Sequence, residues 1–198
     1  MATKNKFPAW AWLLGIVVLI AIWGVSTYNG LITSEGVVDS AWAQVETQYQ
    51  RRADLVPQLV ATTQGAADFE QSTLTAVTEA RTQWQDTAND PNASLEQQIA
   101  ASNSFDSALS RLLVTVEAYP TLTATENFQT LQSQLEGTEN RISVARMDFN
   151  DAAKNYNVKV RRVPTNIIAS IFGFETKPFF EAAEGSEDAP TVEFDFDE

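Results

Sequence analysis

The chain has 198 residues, 13 basic against 26 acidic, a net charge of −13 at pH 7, and neither histidine nor cysteine. That balance argues against nucleic acid and against an anionic membrane surface as primary ligands. The missing histidine and cysteine remove the Glu-x-x-His pairs of di-metal bundles and the usual nucleophile triads. A chain this long needs no disulfide to hold a core, so the absence of cysteine does not fix the compartment.

Residues 7–34 form one uncharged stretch directly behind Lys4 and Lys6. Its most apolar part is residues 9–25, with Ala9, Trp10, Trp12, Leu14, Val18, Ile22, Trp23 and Val25 as markers of a membrane span. From Trp10 to Tyr28 a helix rises roughly 27 Å, close to the ~30 Å hydrocarbon core of a bilayer. Trp10 and Trp12 stand at one end and Trp23 and Tyr28 toward the other, at the depth where amphipathic rings settle. The alternative is a cleaved signal peptide, with Gly24 and Ser26 as small residues at the cleavage site, although three tryptophans exceed an ordinary h-region. Lys4 and Lys6 precede the span and Glu35 and Asp39 are the first charges after it. The positive-inside rule then puts the N-terminus in the cytoplasm and the body outside it.

The body reads as helix throughout. A first body helix spans about 31–52, with Val38, Trp42, Val45 and Tyr49 inward, and Gly30 and Gly36 are points where it can break from the anchor. Asp54 lies three positions before Pro57, which predicts a turn there, Asp54 capping a new helix and Pro57 in its first turn. A kinked continuation is the alternative. Leu55, Leu59, Ala66, Phe69, Leu74, Val77 and Trp84 face inward on that second helix. Ser94 followed by Gln97 is a capping-box pattern opening a third helix at about 94–118, with Ile99, Phe105, Ala108, Leu109, Leu112, Leu113 and Val116 inward. After Pro120, the series Phe128, Leu131, Leu135, Thr138, Ile142, Ala145, Phe149, Ala152, Tyr156, Val160 alternates steps of three and four, the stripe of one long helix over 124–160.

Four helices with short connections pack antiparallel, so the predicted fold is all-α, an N-terminal transmembrane helix followed by a long up-down four-helix bundle. The fourth helix then returns toward the membrane. It delivers residues 164–180 to the bilayer surface, including Ile167, Ile168, Ile171, Phe172, Phe174, Phe179 and Phe180. The chain divides into a cytoplasmic stub and anchor (1–30), the bundle (31–163), the Phe-rich membrane-proximal segment (164–180) and an acidic tail (181–198). That tail holds eight acidic residues and no basic one, the composition of a disordered solubilising terminus. Phe194 and Phe196 among its acids leave a docking motif open.

Several short motifs recur in one order and spacing: Tyr28-Asn29-Gly30-Leu31, Ala41-Trp42, the run from Arg51-Arg52-Ala53-Asp54 through Leu55-Val56-Pro57-Gln58-Leu59-Val60, then Glu79-Ala80-Arg81. They continue with Glu117-Ala118-Tyr119-Pro120, Glu126-Asn127-Phe128, the run Leu135-Glu136-Gly137-Thr138-Glu139-Asn140-Arg141-Ile142, Tyr156-Asn157, Ile171-Phe172-Gly173-Phe174 and Phe179-Phe180. Through them the chain resembles the LemA family of bacterial membrane proteins over about residues 9–181. The resemblance implies a single N-terminal helix in the bacterial inner membrane, with the body then periplasmic or extracellular, and a four-helix body of poorly defined biochemical role. Gln58 stands where the family usually has Asn, and Gln64 and Thr123 where it often has Lys, which weakens any inherited basic patch.

Chemistry is hard to place on these residues. Arg51, Arg52 and Asp54 form an anion-binding candidate, but an arginine pair at a helix end more often serves the helix dipole and a tertiary ion pair. Together with Glu117, Glu139, Asn140 and Arg141 they are candidates for a structural polar cluster. Glu126, Glu136, Asn150 and Asn157 are further members of a register-fixing polar layer. Carboxylate-only glycosidase chemistry needs a cleft, and long helices with short loops predict little concavity. The expectation is a non-catalytic protein without metal or cofactor, its partners being membrane lipid and either its own copies or another envelope protein. One reading is a scaffold that self-assembles or binds envelope partners. The other is a membrane-shaping or envelope-stress component acting through lipid contact of Ile171, Phe172, Phe174, Phe179 and Phe180.

Overall fold

A computed structural model describes residues 9–65 and 70–181; Lys4, Lys6, Ala66, Phe69 and the acidic tail beyond Glu181 lie outside these residues. Every regular element among the described residues is helix. The order is α1 (Ala9–Thr63), α2 (Gln71–Asn89), α3 (Leu95–Glu117), α4 (Pro120–Thr123), α5 (Glu126–Arg161) and α6 (Thr165–Phe172).

The anchor and the first body helix are one 55-residue helix, α1, about 80 Å long. It runs unbroken through Gly30 and Gly36. It also runs through Pro57, so the turn expected at Asp54 is absent and the alternative, continuation of the preceding helix, is what forms. The physical reason lies outside the local sequence. Pro57 has no N–H to offer the carbonyl of Ala53, four residues back, and a buried orphan carbonyl costs free energy. Arg81 on α2 donates its Nε–H to that oxygen at 2.7 Å and removes the cost. The second helix therefore begins only at Gln71.

The other starts follow their signals. Ser94 Oγ accepts from the Gln97 N–H at 3.3 Å while the Gln97 side chain accepts from the Ser94 N–H at 2.8 Å, a reciprocal capping box. Thr125 caps α5, accepting from the Phe128 N–H at 3.4 Å. α6 stops at Gly173, whose φ of 74° is open to glycine at little cost. Pro120 opens the single turn α4 instead of marking a plain break.

α5 packs along α1, and α2 along α3. Cross-contacts fix the direction of the first pair: Arg52 meets Glu139, Tyr49 meets Arg146 and Ser34 meets Lys159, so α5 runs antiparallel to α1. The stripe read along α5 is buried as expected except that Ala153, not Ala152, is the fully buried residue. The two helix pairs are joined through aromatics, Tyr49 of α1 stacking with Trp84 of α2 at 5.8 Å and lying 6.5 Å from Phe105 of α3. A second aromatic group, Trp42, Phe149 and Phe180, closes the core nearer the anchor. By contrast, none of the most apolar stretch at the start of α1 is buried against the protein, so its side chains need another apolar phase.

Candidate functional site

The sequence-predicted polar cluster forms only in part. Arg52, 2% exposed, donates to Asp106 at 2.5 Å and to Glu139. Arg146 donates to the other Asp106 oxygen and to the Tyr49 hydroxyl, and Tyr49 itself donates to Asp106 at 2.7 Å. Both guanidiniums lie over the Tyr49 ring, at 5.7 and 5.4 Å. Burial pushes the Asp106 carboxyl above the ordinary carboxylate range, with the Arg146 and Arg52 charges pulling the other way. Burial, then the Asp106 charge, raise the Tyr49 phenol far above its usual value. The cluster thus ties α1, α3 and α5 at one level with charges balanced internally.

Arg51, Asp54, Glu117, Asn140 and Arg141 are exposed, and none of them joins this cluster. Asp54 accepts from Gln50 on its own helix at 2.8 Å. Asp106 and Arg146 were not legible as members. Their signal is positional: each directly follows a core residue, Phe105 and Ala145, so each sits on the edge of a buried stripe. Asn150 and Asn157 do not enter a polar layer either. Asn150 pairs both amide groups with the Phe180 backbone at 2.9 Å, and Asn157 does the same with Lys177 at 2.8 Å. The two asparagines hold the extended segment after α6 against α5 as a neighbouring β-strand would.

α3 and α5 approach each other little. The gap between them is a groove of about 550 Å³, floored by Leu109, Leu113, Phe128 and Leu135 and rimmed by Glu117, Glu136 and Glu139. The expectation of little concavity is corrected by this opening. No group of three or more His, Cys, Asp or Glu side chains spaced to hold a metal occurs among the described residues.

The C-terminal apolar residues separate into two sets. Phe180 is buried between Trp42 and Phe149, and Phe174 packs half-buried against Tyr28 at 5.7 Å. Ile167, Ile171, Phe172 and Phe179 remain exposed. α6 is seated on the upper part of the anchor: Phe172 lies 4.8 Å from Tyr28, and Ile168 closes on the backbone of Gly24, where a Cβ would meet it at 3.8 Å. An eight-residue apolar helix is therefore clamped beside the end of the membrane-length segment.

A helical body carried on one long apolar N-terminal helix defines a class of membrane-associated helical proteins. Residues 41–194 match the model of the LemA family, and the chain belongs to that family. Similar relatives are magnetosome proteins MamQ 1 and MamQ 2 of Paramagnetospirillum magneticum, each 27% identical over 190 residues, covering 85% of this chain and 70% of theirs. Magnetosome protein MamQ of Magnetospirillum gryphiswaldense is 26% identical over 193 residues, covering 85% of this chain and 71% of its own.

Proposed function

We propose that this chain is a non-catalytic scaffold, a four-helix up-down bundle held to the bacterial inner membrane by one uncleaved span, that rests α6 in the interfacial layer of the bilayer. The observation that carries the reading is the docking of α6 on Gly24 and Tyr28 with Ile167, Ile171 and Phe172 left exposed. Contiguous exposed apolar side chains at that height are costly in water and are accommodated by lipid. Because α6 is fixed to the anchor, its insertion adds volume to one leaflet only, which links scaffolding to membrane shaping. The groove between α3 and α5 offers the bundle a separate face for its own copies or an envelope partner.

Lys4 and Lys6 before the span and Glu35 and Asp39 after it support a body outside the cytoplasm. The cysteine-free chain makes both halves of the reading testable with single replacements. A nitroxide on Ile171→Cys should be reached by oxygen and shielded from a water-soluble relaxant, whereas one on exposed Thr82→Cys in α2 shows the reverse. Equal exposure of the two positions to the aqueous relaxant removes the interfacial reading. For sidedness, an impermeant thiol reagent added to spheroplasts should label Ser94→Cys and spare Thr3→Cys; the opposite pattern inverts the orientation.

A further inference from the structure

The chain is strongly acidic, yet residues 152–180 carry five basic side chains, Lys154, Lys159, Arg161, Arg162 and Lys177, against the single acid Glu175. Folding places this inversion of charge beside α6. Two of the five are occupied: Lys177 pairs with Glu35 at 2.7 Å, and Lys159 contacts the Ser34 hydroxyl. Lys154, Arg161 and Arg162 make no ion pair among the described residues. They line one cavity of about 430 Å³ with Asn157, Val158 and Phe179, and no acid among the described residues is in its wall. Three cationic side chains on one cavity suit an anionic ligand.

Height along the anchor narrows the ligand. Ser34, the partner of Lys159, stands six residues, about 9 Å, above Tyr28 on α1. Arg161 and Arg162 lie two and three residues further along antiparallel α5, about 3 to 4.5 Å back toward the anchor. They therefore sit about 5 Å above Tyr28, within a headgroup layer about 5–7 Å deep. Arginine is suited to that place, since its planar fork binds phosphate oxygens bidentately and gives up hydration more readily than lysine.

We propose that Arg161 and Arg162, at the end of the cavity nearer the anchor, with Lys154 and Phe179 farther from the bilayer, form a binding site for the headgroup phosphate of an anionic phospholipid. The site rests on the reading that α6 lies in the interfacial layer. Bulk composition argued against an anionic membrane surface as a primary ligand, and the fold overrides that argument locally, because interactions beyond about 8–10 Å are screened while these arginines meet the headgroups directly. Asp39, Asp151, Glu175 and Glu181 are nearby acids left without an ion pair among the described residues, and none of them lines the cavity.

The test is lipid binding to the full-length protein in non-ionic detergent, read by native mass spectrometry with phosphatidylglycerol or phosphatidylcholine titrated in. Phosphatidylglycerol should bind preferentially. Arg161→Gln with Arg162→Gln should weaken it by roughly 30-fold, about fivefold per basic residue, with helix content unchanged, and the Arg161→Lys, Arg162→Lys pair should retain most of it. Equal binding of the two lipids, or unchanged phosphatidylglycerol binding in the glutamine variant, overturns the proposal. So does displacement by excess inorganic phosphate, which marks a site for the free ion. The readings separate cleanly: Ile171 in lipid without lipid preference defeats only the phosphate site, and Ile171 in water defeats the interfacial reading itself.

Discussion

Arg52 carries one charge in the body interior and shares it between two carboxylates of different worth. Asp106 is 24% exposed and is gripped by Arg52, Arg146 and the Tyr49 hydroxyl, while Glu139 is 63% exposed and touches Arg52 alone. A buried cation that loses its main partner keeps its desolvation cost, so Asp106→Ala should destabilise the protein by about 3–5 kcal/mol. Glu139→Ala removes a pair already screened by water and should cost less than about 1 kcal/mol. Denaturant unfolding of the full chain in detergent, followed by circular dichroism, measures both. Equal losses would mean the cluster does not work through Asp106. Arg52 and Glu139 could be picked out of the sequence as polar-cluster candidates. Asp106 and Arg146 could not, because a charge flanking a buried stripe looks like any solvated residue until the opposing helix is in place.

Between elements, the joint at Pro57 shows why local rules gave a turn where the chain continues. Proline propensity counts the hydrogen bond lost inside the helix, and it cannot count a donor supplied by Arg81 from 28 residues away. The helix start at Ser94, the α5 stripe and the long apolar N-terminal helix were legible since each depends on neighbours within a few residues, whereas Thr125 as the cap of α5 was not singled out. The clasping of Lys177 and Phe180 by Asn157 and Asn150 was not, for the same reason as Pro57. If Arg81 replaces the missing proline N–H, Arg81→Ala should cost about 1–3 kcal/mol by orphaning the Ala53 carbonyl. In a Pro57→Ala background the restored N–H takes the carbonyl, and the Arg81→Ala cost should shrink. A double-mutant cycle should give a coupling of about 0.5–3 kcal/mol, and strictly additive losses would sink the compensation argument.

At the scale of the whole molecule, on the proposed reading α6 and the extended segment behind it join two environments, body core and lipid, through residues a few positions apart. Phe180 is 7% exposed, stacked on Trp42 at 5.8 Å, edge-on to Phe149 at 5.7 Å, and capped by the Arg146 guanidinium at 4.4 Å. That guanidinium belongs to the buried charge cluster, so the end of the chain's described part is wired directly into its centre. Phe172 is 58% exposed and leans on Tyr28 of the anchor. A single mutation in each set should therefore separate folding from membrane contact. Phe180→Ala opens a cavity among large aromatics and should cost about 3–5 kcal/mol in thermal or denaturant unfolding. Phe172→Ala should change unfolding in detergent by less than about 1 kcal/mol, since little of the ring is removed from solvent by protein. In bilayers the same replacement should increase access of a water-soluble relaxant to a nitroxide at position 171, because α6 loses the apolar side chain that holds it beside the anchor. If Phe172→Ala destabilises as much as Phe180→Ala and leaves the nitroxide shielded, α6 is part of the body's own core, and the division between a folded clasp and a lipid-facing helix fails.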